Sequence, residues 1–155
     1  QMGRLLVQYI IAGTVPFLSV RAEVRGINMR KEFIILTNNP LVKDRLGEEF
    51  EVEFMEISYE EVLKKVRDFV YNKHELLTHP LSGSVKPNET PYKSVMIAKK
   101  PEKFNLESMK IIDNAIAACP KFEFKSDKYA EDVYEDFQYI DYTLISSALP
   151  SAVAW

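Results

Sequence analysis

His79, Ser82 and Ser84 share one stretch, THPLSGSVKPNETPYKS, residues 78–94. An imidazole beside two hydroxyls has the residue types of a base and a nucleophile. The rest of that chemistry is missing from the pattern. No G-x-S-x-G elbow exposes a serine, and the nearest acid that could orient the imidazole is Glu89. A small hydrolase or transferase using His79 with a loop hydroxyl is therefore kept as the alternative reading, and binding is the leading one.

The same stretch has the chemistry of an anion site. Ser82-Gly83-Ser84 can present consecutive amides and two hydroxyls as a nest, with Lys86 and Lys93 adding positive charge. Pro80, Pro87 and Pro91 stiffen the segment, and Leu81, Val85 and Tyr92 can anchor it. Loops this long are usually functional or disordered, and the anchors argue against disorder. A second polar turn, Thr37-Asn38-Asn39-Pro40, closes an apolar run. The candidate ligand-binding set is Thr37, Asn38, Asn39, Thr78, His79, Ser82, Gly83, Ser84, Lys86, Asn88, Thr90 and Lys93, and the expected ligand is a carboxylate or a phosphate. A protein-docking loop and a purely structural loop remain open readings of the same residues. Neither GxxxxGK[ST] nor GxGxxG occurs, so no nucleotide fingerprint applies and no cofactor is expected. With Cys119 as the single cysteine and His74 and His79 as the two histidines, neither a disulfide nor a metal site is expected.

Elements that would position these residues can be read from pattern. EFIILT, residues 32–37, is a near-continuous apolar run suited to a central strand. A short helix from Leu41 to Leu46 stopped by Gly47, and a second strand over 50–57, follow. Ser58-Tyr59-Glu60-Glu61 spells a capping box, and Val62, Val66, Phe69 and Val70 hold helical spacing after it. ELLTHP, from Glu75, is read as a third strand and YKSVMIAK, residues 92–99, as a fourth. Asn105 caps a helix running through Ala118. A last helix starts near Ser126 or Asp127, with Tyr129, Val133, Phe137, Ile140 and Leu144 as its apolar stripe. Glu131, Asp132, Glu135, Asp136 and Asp141 flank that stripe and read as a solvated face. A pure interaction module that docks a basic partner through these acids is the other alternative.

This order implies an α/β fold: one domain with a largely parallel four-stranded sheet and helices on both faces, a Rossmann-like three-layer arrangement. In such sheets ligands bind beyond the carboxyl ends of the strands, which puts the 37–40 turn and the 78–93 loop on one rim. Net charge of −3 and 46% apolar residues describe a globule with no broad affinity for nucleic acid. Residues 1–28 contain no acid before Glu23 and no uninterrupted apolar run long enough to span a membrane. A signal peptide, a packed element and an extension before a natural start at Met29 all fit them; the late start is adopted. The division is then an N-terminal extension at 1–28, the α/β domain at 29–148 and a C-terminal tail at 149–155.

FIILTNNPLV and EVLKKVRDFVYNKHELLTHPLSGSVKPNETPYKSVMI together resemble the GrdX family. The likeness runs from about Met29 to Ile145 and rests on the TNNP turn and the THPLSGSVKPNETPYKS block. Proteins of that family are encoded with the selenium-dependent glycine reductase genes of anaerobic bacteria that ferment amino acids. The resemblance implies a cytoplasmic protein and, as partners, components of glycine, sarcosine or betaine reductase. It brings no catalytic residues with it. The chain has neither selenocysteine nor a second cysteine, so it is not expected to be a catalytic subunit of that reduction.

Overall fold

Each strand of the sheet sends alternate side chains to opposite faces, and the apolar residues sort accordingly. The computed structural model describes residues 32–82, 89–119 and 129–153. Strand β1 is Phe33–Thr37, followed by helix α1 at Pro40–Leu46 and strand β2 at Val52–Phe54. Helix α2 is Tyr59–Tyr71, strand β3 is Ser94–Ala98, and helices α3 and α4 are Leu106–Ala118 and Glu131–Val153. Leu36, Val95 and Ile97 face α2 and α3, meeting Val62, Leu63, Val66, Ile112 and Ala115. Ile35 and Met96 face the other way, onto Val42 and Leu46 of α1 and Ile145 and Ala148 of α4. Full burial of one such aliphatic side chain contributes roughly 1.5–3 kcal/mol, so these two clusters hold the layers together.

Local signals place the helices. Ser58 accepts from the Glu61 amide at 3.2 Å while the Glu61 carboxylate accepts from the Ser58 amide at 3.4 Å, so the capping box forms. Asn105 caps α3 by accepting from the Ser108 amide at 2.9 Å. Asn39 caps α1, with Pro40 in its first turn where a missing N–H costs nothing.

The sheet departs from the sequence expectation. Among the described residues it has three strands in the order β2-β1-β3, with β1 parallel to β2 and antiparallel to β3. It is neither four-stranded nor largely parallel, and the Rossmann-like arrangement is overturned. The place beside β1 expected for the third strand belongs to β3. Among the described residues no helix lies between the Glu75 segment and β3, and the chain enters β3 running back against β1. The segment from Glu75 is only an edge contact, a single bridge between Leu76 and Ile97. Its ladder stops at Thr78, whose hydroxyl rather than a strand carbonyl accepts from the Met96 amide at 2.9 Å.

Helix α4 also runs further than its stripe suggests. It continues through Pro150 to Val153, and Leu149 and Ala152 lie against the second cluster. Among the described residues no helix is long and apolar enough to cross a membrane.

Gly47 closes α1 with an ordinary helical φ of −67°, so backbone freedom is not its purpose. A Cβ there would stand 2.4 Å from the Lys43 carbonyl oxygen. Gly47→Ala is expected to cost about 1–3 kcal/mol in urea unfolding, because the clash is with backbone; an unchanged midpoint would contradict this.

Candidate functional site

Thr37 is the last residue of β1 and is fully buried. Its hydroxyl accepts from the Asn39 amide at 2.9 Å and lies 2.6 Å from the Ser94 hydroxyl. Ser94 donates its one hydroxyl proton to Asp141 Oδ2 at 2.6 Å. The proton between Thr37 and Ser94 must then come from Thr37, which fixes the direction of the chain Thr37 to Ser94 to Asp141. Asp141 also accepts from the Ser94 amide at Oδ1, 3.0 Å, and from Asn39 Nδ2 at Oδ2, 3.0 Å. This acid is 5% exposed, so it does not belong to the solvated face expected for α4.

The two asparagines have separate tasks. Asn39 gives its second amide proton to the Gln138 carbonyl at 2.9 Å and takes the Leu41 amide at 3.0 Å, joining α1 to α4. Asn38 donates to the carbonyls of Ile57 and Pro91 at 2.9 and 2.8 Å and accepts from the Lys93 amide at 2.8 Å. Both side chains are saturated by the fold. They fasten the end of the polar loop to the TNNP turn.

The structure therefore brings Thr37, Asn38, Asn39 and Lys93 together. Thr78 is held at Met96, as described above. Thr90 accepts from the Tyr92 amide at 3.2 Å, and Tyr92 in turn accepts from Gln138 Nε2 at 2.9 Å. His79 uses Nδ1 to accept from the Leu81 amide at 3.1 Å, and Ser82 donates its amide to the His79 carbonyl at 3.1 Å. No hydroxyl or carboxylate of the described residues hydrogen-bonds the His79 ring. Gly83, Ser84, Lys86 and Asn88 lie outside the described residues, as does the expected start of the last helix at Ser126 or Asp127. His74 donates from Nδ1 to the Ala98 carbonyl at 2.9 Å and stands edge-on to Phe69, so it ties α2 to β3.

Charge in this region is concentrated at Lys93, which is 5% exposed. Burial pushes its ammonium below the ordinary lysine range, and Asp141 partly opposes that shift. No hydrogen bond from this ammonium to a described residue is present. Burial, and then Lys93, lower the pKa of His79 below its usual 6.5. Burial raises the Cys119 thiol to about 11, so it stays protonated at neutral pH and packs as an apolar group. Among the described residues no His, Cys, Asp and Glu group could hold a metal ion.

A cleft of about 460 Å³ opens beside the Asn38 latch. It is lined by Asn38, Pro40, Pro91 and Tyr92 together with Phe54, Glu56, Ile57, Ser58 and Glu61. Sequence reasoning missed the part contributed by Phe54 to Glu61. Its signal was present: Phe54-x-Glu56 leaves the carboxyl end of β2 just before a capping box, where α/β sheets bind ligands.

A family model described as GrdX-like protein matches residues 34–150. Neither a curated protein nor a solved structure matches the chain.

Asp141→Asn tests the polar network. Whichever way the new amide turns, its NH₂ meets a donor, the Ser94 amide on one side or Asn39 Nδ2 on the other. A loss of about 1–3 kcal/mol in urea unfolding is expected, the cost of an unsatisfied buried donor; no loss would show the network to be dispensable. The histidine gives a pH test. The unfolded chain protonates His79 near 6.5, whereas the fold holds it below that value. Stability from this group is complete above about pH 6.5 and declines as pH falls towards the lowered folded pKa. Unfolding midpoints measured from about pH 7.5 downward should show that decline, and His79→Gln should flatten it.

Proposed function

This chain belongs to the GrdX-like family, and from that premise we propose that it is an accessory or regulatory protein of selenium-dependent glycine reductase metabolism. In this reading it performs no catalysis itself. It binds a small anion, or a component of the reductase, through the 37–40 turn and the 78–93 loop. The resemblance of its TNNP and THPLSGSVKPNETPYKS segments to the family supports the metabolic setting.

One observation carries the ligand half of the reading. Lys93 is 5% exposed as a residue, and its ammonium makes no hydrogen bond to a described residue. An unpaired buried charge is costly, and such a cost is tolerated where a ligand's opposite charge completes the site. Asn38 supports this by fixing the Lys93 backbone against the strand end at 2.8 Å. Phosphate and carboxylate both match one ammonium with hydroxyls nearby. A second reading, docking of a basic protein surface, has its own support in the exposed Glu131, Asp132, Glu135 and Asp136 of α4.

Isothermal titration with phosphate, acetyl phosphate and glycine tests the ligand half, with Lys93→Met as control. Binding by the parent chain and at least a tenfold loss in the variant are expected. The variant should also be more stable, by about 1–3 kcal/mol, because a methionine removes the buried charge at similar volume. Heats of dilution alone for all three compounds would count against an anion site.

A further inference from the structure

The cleft on the β2 side of the Asn38 latch has chemistry that the anion reading does not use. Several amide donors at the two helix starts are already taken: Ser58 and Glu61 satisfy each other's amides, Asn39 takes the Leu41 amide, and Thr37 takes the Asn39 amide. The Asn38 amide protons are likewise committed to the Ile57 and Pro91 carbonyls. No lysine or arginine lines the cleft. Its charged groups are acceptors only: the carboxylates of Glu56 and Glu61, of which Glu56 has no ion pair or hydrogen bond with a described residue.

The apolar part of the lining is also selective. Phe54 and Tyr92 contribute rings, and Pro40, Ile57 and Pro91 contribute aliphatic surface. A ring face attracts a cation through its quadrupole, and an alkylated ammonium has a greasy surface that suits rings and prolines. Phe54 already behaves in this way, because the Lys43 ammonium sits 5.0 Å from its ring centroid. Lys43 itself is not part of the cleft lining. A volume of about 460 Å³ fits a small molecule or one alkylammonium head group with room for a tail.

We propose that this cleft is a binding site for a small organic cation, an alkylammonium group held between Phe54 and Tyr92 with Glu56 as its counter-charge. Three properties support it together: a lining without lysine or arginine, two aromatic rings, and a carboxylate with no partner within the described fold. The site does not depend on the anion reading, which rests on Lys93. Glu61 is tied to the helix cap and Tyr92 to Gln138, so both arrive preset in position.

Tetramethylammonium chloride is the probe, with sodium chloride at equal ionic strength as reference. Amide chemical shifts of the ¹⁵N-labelled full chain are followed during titration. Saturable shifts at Phe54, Glu56, Ser58 and Tyr92, absent with sodium, are expected. Glu56→Gln should weaken them about tenfold, and Phe54→Leu should do the same provided that its thermal midpoint stays near the parent's. Equal effects of sodium and tetramethylammonium, or affinity unchanged by Glu56→Gln, would overturn the proposal. A phosphate titration run beside it separates the two sites. Saturable phosphate shifts at the cleft residues would also overturn the cation site, whereas phosphate shifts lost in Lys93→Met bear on the anion reading alone.

Discussion

The carboxylate of Asp141 is the constraint on which the upper rim of the molecule depends. It is buried, and three donors converge on it from two other parts of the chain. Ser94 begins β3, and Asn39 begins α1. Without an acceptor there, the Ser94 amide and hydroxyl and one Asn39 proton would all face a dry interior. Charge-assisted hydrogen bonds are stronger than neutral ones, so this node sets the register of the turn, the strand start and α4 together. The Thr37 hydroxyl adds a fourth element by passing its proton to Ser94. At this rim the end of the polar loop meets the TNNP turn, through the bonds of Asn38 to Pro91 and Lys93.

Rigidity at the rim contrasts with what it supports. Asn38 and Asn39 look in sequence like ligand-contacting residues, and polar side chains in a turn at a strand end are common binding groups. In the fold their hydrogen bonds are spent on neighbours. They act as fasteners, and the groups with unmet electrostatic demand are the ones they position. Lys93 lies on one side, with no hydrogen bond from its ammonium to a described residue, and Glu56 on the other, with neither an ion pair nor a hydrogen bond to one. The rim thus separates charge: a buried cation towards the polar loop, open carboxylates towards β2.

Legibility in the sequence follows the range of the interaction. The Ser58 capping box, the Asn105 cap and the apolar run of β1 are decided by residues within a turn of one another, and each is found where the pattern puts it. The turn and loop are put on one rim by a parallel-sheet topology that does not form; the loop's end meets the turn because antiparallel β3 starts beside the end of β1. The third strand was not legible, because whether Glu75 to Pro80 becomes a strand depends on what lies beside it and on a threonine hydroxyl that intercepts the Met96 amide. Asp141 carries the same lesson. On a helix rich in acids nothing local distinguishes it from Glu135 or Asp136, and its partners lie 47 and 102 residues away. Helix α4 runs through Pro150 to Val153, with Leu149 and Ala152 still in apolar contact with the second cluster.

The sequence separation of 102 residues between Asn39 and Asp141 has a consequence for biosynthesis. A chain emerging from the ribosome exposes the first strand and its turn long before the last helix exists. During that interval the protons that Asn39 and Ser94 give to Asp141 have only water to bond, and one flank of the sheet lacks its cover. Until α4 is translated, the nascent protein is left half-finished on that flank.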